Sequence, residues 1–168
     1  MSGNQPDPKE FAKSLLARLR GWRADRGAMA DLRCLLSAAK RARAWPLLAR
    51  VGGIGDSHIE TVAGLFAWHP EETHGGNLGT TCRLLREQNE SFDARFQRLL
   101  TCDREEICER LRPLVLAAKA KGIPVNYEEL FADLCCWGDN VKTRWAREYW
   151  GAPEAQGPVP LAASEATS

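Results

Sequence analysis

Five arginines surround two apolar stripes in the stretch between Ser91 and Val115. A guanidinium donates two parallel hydrogen bonds to a phosphate and stays protonated at any physiological pH. This chemistry would bind the backbone of a nucleic acid without reading its bases. Spacing alone explains the same arginines equally well as a solvated helix face, so both interpretations stay open at this point. The five residues are Arg95, Arg98, Arg104, Arg110 and Arg112.

The sequence contains no pattern typical of an enzyme or of a metal site. The residues between His69 and His74 do not form the HExxH motif of a zinc helix, and the six cysteines include no C-x-x-C pair. The glycines at 52, 53 and 55 lack the spacing of a phosphate-binding loop and are better explained as a hinge. We therefore expect a non-catalytic protein without metal or cofactor, whose cysteines are reduced and buried.

The composition is typical of a soluble globular protein. Hydrophobic residues make up 44% of the 168 residues and charged residues 27%, enough for a real core in one domain or two small lobes. No apolar run approaches the roughly 20 residues that span a bilayer, so we expect no membrane contact. The first ten residues lack the features of a signal peptide, and we expect a cytoplasmic protein.

The charge is distributed unevenly, although the net charge is only +1. Residues 1–50 contain 11 Lys and Arg against 4 Asp and Glu, whereas residues 51–77 contain 4 acids and no base. Such an asymmetry indicates a polyanionic partner. Amphipathic helices with arginine-rich outer faces would give the same asymmetry, and charge alone does not decide between the two.

Apolar residues recur at helical spacing along most of the chain, and no strand pattern interrupts them. We predict an all-α protein, an elongated bundle of eight or nine short helices. The predicted helices cover about 9–20, 26–40, 46–51, 57–68, 104–121 and 140–150, with three more that begin near 77, 91 and 126.

Three local features bear on where the cations lie. In the predicted helix 26–40, cations recur every seven residues and so share one side: Arg26, Arg33 and Lys40. Asp103 with Glu106 forms a capping-box pattern at the joint between two helices. Pro113 is predicted to kink or divide the second of these helices.

The predicted organisation has three parts. Residues 1–7 form a flexible start, and 8–150 an all-helical domain with lobes of roughly 8–90 and 91–150. The segment 151–168 is rich in Pro, Ala and Ser, and we predict a disordered tail. Within the domain, His69 to Gly76 is predicted to be a flexible, exposed acidic loop.

Several short motifs occur in a fixed order over residues 11–150. This ordered set resembles the CasB family, the small subunit of the type I-E CRISPR surveillance complex Cascade. The motifs are RG at 26–27, ADLR at 30–33, LFAWHP at 65–70, NLG at 77–79, RF at 95–96, LLTCDR at 99–104, LR at 111–112, YEEL at 127–130, DL at 133–134, Trp137, and WAREY at 145–149.

The resemblance implies a function and a set of partners. It implies an elongated helical subunit that is present in two copies beside the crRNA-bound backbone subunits and the large subunit. Such subunits are not enzymes; they stabilise the R-loop, with a basic surface along nucleic acid, notably the displaced DNA strand. The family's basic surface implies a more positive chain than +1.

The resemblance also assigns candidate residues for binding DNA and crRNA. Arg104 has an alternative structural role, because it stands beside Asp103 at a helix start. Two other functions remain possible for the chain: a scaffold that contacts only protein, and a small helical enzyme with an unrecognised site. The best-matched cations are Arg26, Arg33, Arg95, Arg104, Arg112 and Arg147. Further cations at less securely matched positions are Lys40, Arg41, Arg43, Arg98, Lys142 and Arg144.

Overall fold

A computed structural model describes residues 6–87, 89 and 91–151. These residues form nine α-helices and three 3-10 helices, which confirms the prediction of an all-α fold. The α-helices are α1 (Pro8–Gly21), α2 (Arg26–Arg33), α3 (Trp45–Leu48), α4 (Ser57–Trp68), α5 (Leu78–Arg86), α6 (Phe92–Leu100), α7 (Ile107–Lys121), α8 (Tyr127–Cys135) and α9 (Asp139–Trp150). The 3-10 helices are Cys34–Leu36, Arg41–Ala44 and Ala49–Val51.

Two predicted segments lie mostly beyond the described residues. The flexible start 1–7 and the disordered tail 151–168 fall outside them, apart from residues 6, 7 and 151. The lobe boundary near residue 90 stays a prediction. Among the described residues, no helix combines the length and the apolar character needed to cross a bilayer.

Helix α4 lies at the centre of the core because its sequence is apolar on nearly every side. Its buried side chains include Val62, Leu65 and Phe66, and it packs against α2, α7 and α8. Gly64 permits a close approach to the 3-10 helix Cys34–Leu36, since a Cβ at this position would lie 2.9 Å from a methyl carbon of Leu36. The elements that carry the N-terminal cations are thus fixed directly to the core.

The predicted single helix over 26–40 is wrong. Helix α2 ends at Arg33, a 3-10 helix follows, and Ser37 has an extended backbone. The chain turns because Leu35 and Leu36 pack toward Gly64, and this tertiary contact outweighs the helical periodicity of the sequence. Lys40 therefore does not follow Arg33 along one helix face, although the two residues still lie close together, as described below.

At the joint between α6 and α7 the Asp103 half of the predicted capping box is present, whereas the described residues show no return bond to the Glu106 side chain, and the second helix starts later. Both Glu105 and Glu106 donate their backbone N–H groups to the Asp103 carboxylate at 2.9 Å. Helix α7 then begins at Ile107 rather than at Arg104. It continues through Pro113 without a break, so the predicted division of this helix is wrong.

The segment 69–76 is exposed in part, as predicted, at Glu71 and at 74–76, but three of its residues anchor it to the rest of the chain. His69 is buried, and its Nε2 lies 2.6 Å from the carbonyl oxygen of Ile123. Glu72 accepts a 2.8 Å hydrogen bond from Arg20, and Thr73 N donates to Val125 O at 3.1 Å. Composition predicted a loop here, but it does not reveal partners that lie 50 residues away in sequence.

The cysteines are free thiols but not uniformly buried. Cys82 and Cys102 are buried, whereas Cys136 is exposed, contrary to the expectation that all six are buried. Burial raises the pKa of Cys135 to about 11, so this thiol stays protonated at neutral pH. None of the described residues forms a group of three potential ligands that could hold a metal ion.

Gly79 is where α5 and α9 come into closest contact. A Cβ at Gly79 would overlap the backbone carbonyl oxygen of Trp145, and backbone gives way less easily than a side chain. Replacing Gly79 by alanine should therefore lower the free energy of unfolding by about 2 kcal/mol, which urea denaturation would measure. Gly75→Ala is the control, because a Cβ there meets nothing within 4 Å; it should change stability by less than about 0.5 kcal/mol. Equal stability of the two variants would contradict this packing.

Candidate nucleic-acid interface

One pocket of about 200 Å³ brings together three of the cations predicted to bind nucleic acid. Arg33 enters from the end of α2, Lys40 from the segment after the first 3-10 helix, and Arg112 from α7. Trp68, at the end of α4, forms part of the same wall. The fold therefore concentrates positive charge from three separate sequence segments at one place.

Both guanidinium groups of this pocket are held in place by backbone carbonyls. Arg33 Nε donates to Ala67 O at 3.1 Å, and an Nη of Arg112 donates to Leu36 O at 3.0 Å. A guanidinium has five N–H donors, so most of its donors remain for another acceptor. Among the described residues neither arginine forms an ion pair with a carboxylate. The pocket thus contains oriented cations that form no ion pair among the described residues, although Arg112 also lines an adjoining pocket together with Glu105 and Glu109.

Trp68 adds an aromatic side chain to the wall of this pocket. Its indole Nε1 is buried and, within the described part of the chain, is a buried side-chain donor without an acceptor. Lys119 lies over the ring at 5.1 Å from its centroid and adds a further cation nearby. The Nε1 atom itself has almost no exposed surface, so Trp68 contributes wall surface to the pocket rather than a hydrogen-bond donor for a bound anion. We name the site formed by Arg33, Lys40, Trp68 and Arg112 the α2–α7 pocket.

A second cationic pocket lies between α6 and α7. It has a volume of about 210 Å³ and an apolar floor that includes Leu99 and Leu114. Its rim carries Arg95 and Arg98 from α6, both predicted, together with Arg110 from α7. All three arginines are exposed. We name this site the α6–α7 pocket.

Arg110 belongs to this site although sequence reasoning did not include it among the binding residues. The signal was present, since Arg110 stands in the same arginine-rich stretch as Arg95. Periodicity predicted which residues face the core, but it does not show which outer residues of two neighbouring helices face each other. That pairing depends on the angle at the joint around Asp103.

Two further predicted cations bind residues of α8. Arg104 donates to the carbonyl oxygen of Cys135 at 2.7 Å and so places a positive charge at the C-terminal end of α8. Arg144 forms ion pairs with Glu129 at 3.1 Å and Asp133 at 2.8 Å. The two ion pairs give Arg144 a structural role. Arg104 makes one hydrogen bond to a backbone carbonyl, as Arg33 and Arg112 do, so its place in the interface stays a prediction.

The Arg144 ion pair is part of a buried polar network. The side chain of Asp133 is 2% exposed, and its second oxygen accepts a 2.7 Å hydrogen bond from Trp145 Nε1. Burial raises the pKa of the Asp133 carboxyl, while the Trp145 N–H and Arg144 oppose this increase. Such a network links α8 to α9 and leaves Arg144 little capacity for an external phosphate.

The remaining predicted cations lie outside the two pockets. Arg26 is exposed at the start of α2, and Lys142 contacts the Trp137 ring, with Nζ 5.5 Å from its centroid.

Arg41 lines a larger pocket of mixed charge, with a volume of about 460 Å³ and three glutamates in its lining. Arg147 lies beside Glu148 in another mixed pocket. Arg43 forms an exposed ion pair with Asp31 at 3.3 Å. Arg41 nevertheless lies next to the α2–α7 pocket, because Arg112 lines both that pocket and the mixed one. The other four residues line neither cationic pocket.

Comparison with known proteins identifies the family. A family model described as CRISPR-associated protein Cse2 matches residues 16–150. A CRISPR-associated protein Cse2 from Thermus thermophilus is 33% identical over 159 residues, which cover 86% of this chain and 91% of the relative.

Solved structures have the same fold. The crystal structure of CasB from Thermus thermophilus superposes with a TM-score of 0.69 at 28% identity, over 83% of this chain and 97% of that one. A chain of a CRISPR RNA-guided surveillance complex gives a TM-score of 0.72 at 18% identity, over 89% of this chain and 96% of the other, and shows likeness of fold alone. The resemblance inferred from the ordered motifs is confirmed, and the chain belongs to the CasB/Cse2 family of CRISPR-associated proteins.

Proposed function

We propose that this chain is the non-catalytic small subunit of a type I-E CRISPR Cascade complex and binds the backbone of nucleic acid within it. In this role it stabilises the R-loop during crRNA-guided antiviral defence by holding the displaced DNA strand. Its partners are the crRNA-bound backbone subunits, the large subunit, a second copy of itself, and the DNA and crRNA, in the cytoplasm. Family membership and the relatives' names support the assignment to a surveillance complex.

The observation that carries the proposal is the α2–α7 pocket. Its two arginines are fixed by backbone carbonyls, so little side-chain entropy is lost when a phosphate binds. Lys40 adds a third, flexible positive charge to the same pocket. Nothing in this geometry reads a base edge, which fits a subunit that binds whatever sequence the guide RNA displaces.

The α6–α7 pocket supports the same proposal. Its three exposed arginines surround an apolar floor; Arg95 and Arg98 come from α6, and Arg110 comes from α7, the helix that also carries Arg112. Two separate cationic pockets allow contact with more than one phosphate along a strand. With a net charge of only +1, binding is expected to depend on these local concentrations of charge rather than on the whole-molecule charge.

A purely structural scaffold is the rival function, and charge reversal separates the two. Arg33→Glu and Arg95→Glu complexes should assemble and co-purify with a crRNA of defined length, yet release target DNA about tenfold faster, because each loses a phosphate contact. Native gel analysis of assembly and of R-loop decay measures both quantities. Complexes that fail to assemble would favour the scaffold, and unchanged R-loop decay would remove these two residues from the interface.

A further inference from the structure

Trp45 is a large aromatic side chain that the fold leaves partly in solvent. Its exposed fraction is 37%, and the other large exposed hydrophobic residues in the described part of the chain are Ile54 and Trp150. It stands at the start of α3, and Pro46 follows it in the first turn. The exposed part of the indole is therefore available for contact with another molecule.

The segment that carries Trp45 is strongly and uniformly basic. No Asp or Glu occurs between Asp31 and Asp56, whereas five cations do: Arg33, Lys40, Arg41, Arg43 and Arg50. Two of these, Arg33 and Lys40, line the α2–α7 pocket. The 3-10 helix Arg41–Ala44 packs against both α2 and α3, so the indole and the cations belong to one compact region. Arg43 is partly neutralised by Asp31 at its edge.

We infer that Trp45 stacks on an unpaired base of the strand whose phosphates bind the neighbouring cations. This inference rests on the proposed function and deepens it, because it specifies a single-stranded ligand with accessible bases. An indole offers a flat π surface to any base, so stacking adds affinity without selecting a sequence. Cations that track the phosphates beside an aromatic platform are the combination that single-strand binding requires.

A protein partner is the competing explanation, because Ile54 is also exposed and does not stack on bases. Charge favours the nucleic acid, since a protein surface would have to be strongly acidic to match a segment that contains cations and no acid.

Trp150 serves as an internal comparison. Its ring contacts Phe96 and Tyr149 edge-on, with centroids 5.4 and 4.8 Å away, and Glu148 is close in sequence. Its surroundings thus already provide aromatic partners.

The test compares two strands that differ only in their bases. The full-length chain is titrated with labelled single-stranded DNA and with an abasic strand of equal length, at one low salt concentration. For the wild type, the base-bearing strand should bind more tightly. Trp45→Ala should weaken binding of the base-bearing strand about tenfold and leave the abasic strand unchanged. Unchanged abasic binding also shows that the variant is folded, and Trp45→Phe should retain most of the preference for bases.

The other outcomes overturn the inference in distinguishable ways. If Trp45→Ala lowers the affinity for both strands equally, or for neither, stacking by Trp45 is excluded. Binding of the backbone, and with it the proposed function, is then unaffected. If DNA binding is unchanged but assembly of the complex is weakened, Trp45 contacts protein instead. If Trp150→Ala gives the same loss as Trp45→Ala, the assignment to Trp45 is wrong. If the wild-type chain binds neither strand, the inference fails, and the R-loop assay of the assembled complex then decides the proposed function.

Discussion

Replacing Arg33, Lys40 and Arg112 together by glutamine should weaken binding of target DNA by the assembled complex about 100-fold at physiological salt. The reason is the loss of three phosphate contacts of about 1 kcal/mol each, which removes the charge of the α2–α7 pocket. The dependence of log K on log salt should also become shallower by about two, because each contact to a single strand releases about 0.7 counterion. Titrations at several salt concentrations measure both effects.

A matched control separates the pocket from charge in general. Lys9, Lys13 and Arg18 lie exposed on α1, and their replacement by glutamine changes the net charge by the same amount. This variant should bind DNA within about threefold of the wild type, because interactions between exposed charges more than about 8 Å apart are largely screened at physiological salt. Equal losses in the two triple variants would show that net charge, rather than the pocket, governs binding.

Replacing Arg144 by leucine should lower the free energy of unfolding by about 3 kcal/mol at neutral pH. The change leaves the buried Asp133 carboxylate without its close cation, and an unpaired buried charge is strongly destabilising. The estimate is at the lower end of the usual range, because the Arg144 side chain is 36% exposed. Urea unfolding of the variant and the wild type measures the difference.

This loss should depend on pH in a defined direction. The pKa of Asp133 is raised above its ordinary value by burial, and Arg144 opposes that increase, so removing Arg144 raises the pKa further. A carboxyl with a raised pKa in the folded state stabilises the fold when protonated, and this stabilisation is lost as pH rises through that pKa. The loss of unfolding free energy caused by Arg144→Leu should therefore become smaller as the pH is lowered from neutral.

Arg98→Leu is the control for this experiment, since Arg98 is an exposed arginine with no described ion pair. It should change the free energy of unfolding by less than about 0.5 kcal/mol at every pH. If the loss of unfolding free energy in Arg144→Leu does not change with pH, the buried Asp133 carboxylate is not its cause.

The helices and their buried faces could be predicted from periodicity because local spacing determines them. Val141, Trp145 and Tyr149 were expected on one face of the last helix, and all three are buried. The end of α2 could not be predicted in this way. It depends on the contact between Leu36 and Gly64, which are distant in sequence and meet only in the folded chain.

The same limit applies to the cations. Sequence could identify arginines that were not part of the core, but it could not separate Arg112, which lines a cationic pocket, from Arg144, whose acidic partners lie on α8. Both residues stand on an outer helix face. What distinguishes them is the charge of the neighbouring helix, and that neighbour is set by tertiary packing.

Site-specific crosslinking inside the assembled complex tests the central claim most directly. Ser37 lines the α2–α7 pocket, so a photoreactive p-benzoylphenylalanine placed there should crosslink to nucleic acid when target DNA is bound. The same group at Glu10, an exposed acidic position on α1, should give no nucleic-acid product. Crosslinks from Ser37 to protein subunits alone would contradict the account and favour a scaffold.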